Sequence, residues 1–448
     1  MTQIDVSPIS GFPEWLPDKR IVEQRILDVI RQSYELFGFA PIETPSVERW
    51  PVLTAKGGIQ RQVFSVGRPS VEETTEQELG LHFDLTVPLA RYVASRSSEL
   101  TFPFRRYQIQ KVWRGERAQR GRFREFYQCD IDIIGSETLD LLYDAEIARV
   151  IGVVFDTLGV SGIKVHISNR KILTSLASAF QVDSSSTETI LRLIDKASRD
   201  GATAAAALLR EEGFDTDLAD AFERLLDASD LATARAVLVG AGADVTGMDE
   251  LEQVHDAALA LGMPANQIEV DLGIARGLDY YTGTVYETFV TGHETWGSVC
   301  SGGRYEDLAG YFTDRRLPGV GVSIGATRLL DLLTQSEIMP LGAKTPTKVL
   351  VATQDRANYL PRYLEFAASL RGAGIASEVY LQPRKLGDQL RYAGDLGIPL
   401  VLIAGSAELS RDSIQLRNMN DGEQTELPIA DLVREAERLL RSLDPDDR

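Results

Sequence analysis

The stretch FRRYQIQKVWRGERAQRGRFREFYQCDIDIIG, Phe104–Gly135, decides how the chain reads. Toward both ends, side chains alternate with a period of two, the spacing of a β-strand. Between them, five arginines fall within Arg114–Arg124. Two strands, Arg105–Arg114 and Glu125–Gly135, therefore flank a tip crowded with guanidinium groups, which predicts a β-hairpin. In the second strand Gln128, Asp130 and Asp132 share one face, and Cys129, Ile131 and Ile133 the other. The plain alternative is a solvated edge hairpin, charged to resist strand addition. Against it stands the line of amide and carboxylate groups beside the arginines. Guanidinium forks hold phosphate oxygens in pairs and stabilise charge that develops during phosphoryl or nucleotidyl transfer.

Such a cluster stands out in an acidic chain. The 448 residues carry 47 Lys+Arg against 66 Asp+Glu, a formal net charge of −19. That balance argues against a generic nucleic-acid coat and a membrane-surface binder, which show a global basic excess. It is compatible with a local basic cleft. Apolar residues make up 44% and charged residues 25%, an ordinary soluble globular composition, and the length predicts two or three domains. Cys129 and Cys300 are too few for a disulfide framework, and no Cys/His spacing suggests a zinc site. MTQIDVSPISGFPEW, Met1–Trp15, lacks a basic region followed by an apolar one, so no signal peptide is expected. The longest apolar run, Ile398–Gly405, is too short to span a bilayer. These readings predict a cytoplasmic protein without membrane association.

Working outward from the hairpin, Arg20–Gly38 carries an apolar stripe at helical spacing (Val22, Ile26, Val29 or Ile30, Tyr34). FAPIETPSVE, Phe39–Glu48, follows as a proline-punctuated extended segment. LHFDLTVPLARYVAS, Leu81–Ser95, reads as a short strand leading into a helix. From about Asn169 to Leu261 the chain turns rich in Ala, Leu and acidic residues and reads as a helical insertion. Strands return at Ile268–Val290, with Val270, Leu272 and Ile274 on one face delivering Arg276 at a strand end. Residues 336–347 read as a linker between a domain over 1–335 and another over 348–448. The second alternates β-α-β-α-β, the pattern of a small, largely parallel α/β domain.

Three further segments carry polar chemistry. In ARGLDYYTGTVYE, Ala275–Glu287, Tyr280 and Tyr281 point to opposite faces of an extended chain, so one packs while the other faces a cleft. GSVCSGGRYEDL, Gly297–Leu308, allows close backbone approach at Gly302–Gly303, although taken alone it reads first as an ordinary glycine turn. PGVGVSIGATRLLDLL, Pro318–Leu333, is a glycine-rich strand opening a helix near Ala326, with Arg328 in its first turn. It fits neither GxGxxG in a βαβ unit nor a Walker loop, and an arginine at a helix start suits a nucleotide phosphate.

Together these segments resemble the class II aminoacyl-tRNA synthetases. Trp113–Gly135 is similar to their motif 2, Pro318–Leu333 to motif 3, and the first helix with Phe39–Glu48 to motif 1. RGLDYYTGTVYE and SGGRYEDL resemble segments specific to the histidyl-tRNA synthetases, and the resemblance covers essentially the whole chain. It implies an α+β catalytic core, an antiparallel sheet flanked by helices, with a helical insertion and a C-terminal α/β anticodon-binding domain. It implies ATP-dependent activation of L-histidine, transfer to the 3′ end of tRNA(His), and a homodimer built on motif 1. The alternative it leaves is a non-catalytic, histidine-sensing regulatory paralogue of histidine biosynthesis.

Carried over position by position, the resemblance gives Arg114 and Arg276 the α-phosphate and the reacting carboxylate, as catalytic residues. Arg122 and Arg328 match γ-phosphate positions, and Glu116 is the carboxylate expected to hold Mg²⁺ bridging the ATP phosphates. Asp132 and Tyr281 match contacts to the imidazole, Asp84 and Gln128 contacts to the ammonium; Tyr305 matches another pocket residue, and Tyr280 is expected among the substrate-binding residues with them. Gln119 and Arg124 fall where the family meets the tRNA acceptor end. The chain has His82 where family members commonly carry arginine.

Overall fold

The computed structural model describes residues 4–55, 60–67, 78–197, 200–275 and 281–443. The hairpin forms as the alternation predicts. β5 (Phe104–Trp113) and β6 (Glu125–Ile134) pair antiparallel from Phe104↔Ile134 to Trp113↔Glu125. They are the second and third strands of an eight-stranded sheet. Its other members are β1 (Ala40–Pro41), β7 (Ile163–Asn169), β8 (Ile268–Val270), β9 (Thr284–Val290), β10 (Cys300–Tyr305) and β11 (Gly319–Gly325). The order is β1-β5-β6-β11-β10-β9-β7-β8, antiparallel throughout except at the two edges, where β1 joins β5 and β8 joins β7 in parallel. Val47–Arg49 (β2), Ser65–Val66 (β3) and Leu79–Leu81 (β4) make a separate three-stranded patch.

The sheet is buried on both faces, for different reasons. Cys129, Ile131 and Ile133 share a face with Val320, Val322, Ile324 and Cys300, all buried. The helix Leu142–Thr157 covers that face with Ile147, Val150, Ile151, Val154 and Phe155. Burial of such side chains is worth about 1.5–3 kcal/mol each and dominates the stability of the layer. A buried ion pair lies on this side. Arg304 donates to both Asp144 carboxylate oxygens at 2.7–3.1 Å and to the carbonyls of Leu139 and Asp140. Both residues are buried. Arg304→Ala would leave the Asp144 carboxylate without its counter-charge, and the expected loss is about 3–5 kcal/mol. A urea midpoint barely shifted from wild type would contradict this.

Two of the strand expectations need adjusting. The strand expected to run through to Arg276 ends at Val270, because the Asp271 carboxylate accepts from Gly273 N at 2.9 Å and turns the chain. Arg276 and Tyr280 lie outside the described residues. Gly302–Gly303, conversely, is no turn but lies within β10. A Cβ on Gly302 would stand 2.1 Å from the carbonyl oxygen of Gly321, so only glycine lets β10 and β11 approach as they do.

The insertion between β7 and β8 is helical: six helices among the described residues, from Arg170–Ala179 to Thr246–Ala260. Asn169, Asp215 and Asp230 cap three of them by accepting backbone N–H groups. The chain forms two compact units, Met1–Glu14 with Arg25–Ile338, and Trp15–Gln24 with Met339–Arg448. In the second unit β12 (Val349–Val351), β13 (Ser377–Val379) and β14 (Leu400–Ile403) are parallel. An antiparallel pair not foreseen from the sequence, β15 (Ser413–Asn418) and β16 (Gln424–Pro428), extends that sheet.

Candidate active site

The second face of the eight-stranded sheet is polar, and its layout follows from strand register. Gln128 on β6 lies opposite Gln110 and Gly325, Asp130 opposite Gln108 and Ser323, and Asp132 opposite Arg106 and Gly321. β10 and β9 continue these rows with Ser301, Gly303 and Glu287. The glycines make a floor. A Cβ on Gly321 would fall 2.2 Å from the Asp132 carboxylate, and one on Gly303 would fall 2.9 Å from the Tyr281 ring. Side chains from neighbouring strands fold over these bare positions.

Above the floor opens a cavity of about 670 Å³. Arg114, Arg122 and Arg328 reach it from the hairpin and from the helix after β11, Asp84, Gln128 and Tyr281 from beside them. A second cavity of about 250 Å³ shares Arg114, Arg122, Gln128 and Arg328 and adds Glu116, Phe123 and Phe126. Arg328 donates to the carbonyl of Gly121 at 2.9 Å and of Ser298 at 2.7 Å, which ties the hairpin tip to the end of the sheet. Gly121, at φ 67°, permits the turn and packs under Trp296, over which Arg120 stacks at 4.2 Å. Burial lowers the Arg328 pKa, and repulsion from Arg122 and Arg114 lowers it further. Cations gathered against their own repulsion form a site for an anion.

The remaining sequence candidates divide. Asp84 is buried and accepts from Val87 N at 2.9 Å, at the start of the helix Thr86–Arg96. Gln128 donates to the Ser323 hydroxyl at 2.7 Å. Gln119 lines the larger cavity, whereas Arg124 turns away from both, donating to the carbonyl of Glu116 and packing on Gly11. Asp132 and Tyr305 line neither of these two cavities. They lie within the sheet layer, where the Tyr305 hydroxyl donates to Asp132 Oδ1 at 3.0 Å. His82 is buried too. It packs against Trp113 with its Nε2 2.7 Å from the carbonyl of Lys111, and burial lowers its pKa, so it stands in the core as a neutral ring.

Other lining residues escaped the sequence reading. Glu287 and Ser301 belong to strands whose register was not legible. Glu188, Arg192 and Asp195 come from the insertion helix Ser184–Ala197, which reaches the cavity from outside the sheet. Their i, i+4, i+7 spacing marks a helix face, but nothing local says what that face meets.

An antiparallel sheet with arginines gathered over its polar face, and a separate α/β unit after it, is the plan of an aminoacyl-tRNA synthetase. The family profile described as Histidyl-tRNA synthetase matches residues 11–329, and that of an anticodon binding domain matches 336–439. The chain belongs to the histidyl-tRNA synthetase family. Among its relatives, the histidine--tRNA ligase of Xanthomonas oryzae pv. oryzae is 45% identical, covering 91% of this chain and 92% of that protein. That of Trichormus variabilis is 39% identical, covering 98% and 99%. The crystal structure of the histidyl-tRNA synthetase from Nostoc sp. PCC 7120 is 37% identical and superposes with a TM-score of 0.88, over 97% of this chain and 100% of that one.

Proposed function

We propose that the chain condenses L-histidine with ATP to histidyl-adenylate, releasing pyrophosphate, and then esterifies the 3′ end of tRNA(His) with histidine. The convergence of Arg114, Arg122 and Arg328 on a cavity also lined by Asp84, Gln128 and Tyr281 carries this reading. A histidine carboxylate oxygen attacks the α-phosphorus as the bond to the pyrophosphate oxygen breaks. Both reactants are anionic, so fixed cations are what the transition state needs. Arg114 takes the α-phosphate, with Arg276 opposite it; Arg122 and Arg328 take the outer phosphates. No side chain need act as base, because the attacking carboxylate is ionised at neutral pH. In the second step a terminal ribose hydroxyl of the tRNA attacks the acyl carbon and AMP leaves. This is the chemistry of a class II enzyme, placed in the cytoplasm.

Among the described residues no cluster of three His, Cys, Asp or Glu side chains is arranged to cage a metal. That suits Mg²⁺, which is bound by few carboxylates and by substrate phosphates. Glu116, beside Arg114 and Arg122, is the carboxylate that would hold it, and the ion would neutralise phosphate charge.

Recognition of histidine needs partners for its ammonium and its imidazole N–H groups. Asp84 and Gln128 suit the ammonium, Tyr281 and Asp132 the ring, with Tyr305 behind Asp132. Gln119 and Arg124 belong to the hairpin tip that would meet the acceptor end. The regulatory alternative has no use for a gathered arginine cluster. ATP–pyrophosphate exchange tests the reading: histidine should support it, and exchange with any other amino acid, or none with histidine, would refute it.

A homodimer is also proposed. On the helix Pro17–Leu36, Ile26, Ile30 and Tyr34 are buried, yet Leu36 is 77% exposed in the single chain. A two-fold interface over this end and the segment after it would cover that side chain. Light scattering at micromolar concentration should report about twice the chain mass. A stable, active monomer would reject it.

A further inference from the structure

Among the described residues Arg106 is the largest fully buried side chain, at 0% exposure, and it sits in the row Arg106–Asp132–Gly321–Gly303 that runs beneath Tyr281. Its Nη2 is 2.5 Å from Asp132 Oδ2. None of its three guanidinium nitrogens has a hydrogen-bond acceptor in good geometry among the described residues. The contact with Asp132 is therefore one of charge. A lone guanidinium in the core of a sheet is costly unless it offsets charge nearby. Three buried carboxylates supply that charge: Asp84, Asp130 and Asp132 are 5%, 2% and 4% exposed.

We propose that Arg106 is a positioning residue for the substrate's side chain: it holds the Asp132 carboxylate ionised and fixed beneath the pocket, so that Asp132 accepts an imidazole N–H. The inference rests on the proposed histidine activation. Arg106 is shut off from solvent and lines neither of the two cavities of the site, so it acts through Asp132. Asp132 is held from two sides, with Oδ1 accepting from Tyr305 and Oδ2 against Arg106. Its orientation on the Gly321 floor is thereby set.

The charge state is set in the same way. The charged and titratable groups facing Asp132 are Arg106 on β5, Tyr305 on β10, Asp130 on its own strand and Asp84 ahead of the helix Thr86–Arg96. Burial pushes the Asp132 pKa up to about 6; Arg106 and the Tyr305 hydroxyl pull it down, and Asp84 pushes it up. Asp130 rises to about 7, again by burial, with Arg106 opposing. Without Arg106 the downward pull is lost, so Asp132 would be protonated at neutral pH. A carboxyl in that state has one oxygen on Tyr305 and presents a donor where an acceptor is wanted.

Exchange kinetics on the full chain, varying histidine and ATP separately, test this. For Arg106→Met, histidine KM should rise about tenfold or more at neutral pH, the loss of one charge-assisted hydrogen bond. ATP KM and kcat should stay within about twofold, because Arg106 meets no phosphate. The sign of the pH effect follows from the acid. Ionised Asp132 is present above its pKa, and Arg106→Met raises that pKa, so the ratio of variant to wild-type KM should shrink as pH rises toward about 9. Taking the ratio cancels the titration of free histidine. Arg106→Met combined with Asp132→Asn should bind histidine no worse than Asp132→Asn alone.

An unchanged histidine KM, equal rises for histidine and ATP without pH recovery, or additive effects in the double variant would overturn the inference. Should Arg106→Met fail to fold, Arg106→Gln carries the test, since it removes the charge and keeps a polar head beside Asp132. A raised histidine KM that is not additive with Asp132→Asn supports the inference, and a wild-type or additive KM overturns it. Wild-type chain that shows no exchange with histidine would fail the functional reading itself, a result distinct from any of these.

Discussion

Arg114→Ala is expected to lower the rate of adenylate formation by about 10²–10³-fold or more, the scale for removing one preorganised donor from developing negative charge. The fold should survive. The guanidinium stacks 4.5 Å from the Phe83 ring and 5.1 Å from Phe126, and its Nε donates to the carbonyl of Phe83 at 3.2 Å. Those contacts are worth about 0.5–1 kcal/mol apiece, well below the roughly 3–4 kcal/mol that the transition state loses. Single-turnover measurement of adenylate, with a thermal melt alongside, separates the two effects. Near-normal turnover, or a chain that no longer folds, would remove Arg114 from the phosphate site. Arg114→Lys should recover little, because an ammonium lacks the paired donors.

Arg276→Ala is expected to have an effect of the same order. Its role comes from the match of RGLDYY to the family's arginine. Ala275 and Tyr281, which bracket residues 276–280, both line the larger cavity. If, as proposed, both arginines serve one α-phosphate, they act as a unit, and the double variant Arg114→Ala/Arg276→Ala should be little worse than either single one. Fully additive losses would mean that the two act on different steps. A variant that binds histidine and ATP normally but makes no adenylate is the expected signature, since an interaction made only in the transition state lowers kcat rather than raising KM.

Much of this architecture was legible because its signals are local. The alternation in Phe104–Trp113 and Glu125–Ile134 reports a strand without knowledge of its neighbours, and the glycine-rich strand gives way to the helix Ala326–Gln335 where expected. The insertion likewise announces itself by composition. Readings failed where a side chain overrode the pattern, as Asp271 does in ending β8, or where a partner strand decided the outcome, as Gly321 does for Gly302. In the second unit Ile414 and Leu416 are buried alternately along β15, a period-two signal that was present in the sequence and overlooked.

The site divides along the same line. Arg114, Arg122 and Arg328 carry their chemistry in their residue type, and the resemblance implies the roles proposed for them. Arg106 has the same type and sits eight positions before Arg114, yet the sequence makes it one more strand residue. Its burial depends on β6, β11 and their covering layers, which close only in the folded chain. Glu188, Arg192 and Asp195 are hidden for a similar reason: a helix face is readable, its destination is not.

The most direct test of the whole account is aminoacylation of tRNA(His) by the purified chain, with ATP and each of the standard amino acids in turn. Histidine, and histidine alone, should become esterified to the 3′ end of the tRNA, with one AMP formed per ester. Charging with another amino acid, or histidine-dependent pyrophosphate exchange with no histidine reaching the tRNA, would contradict it.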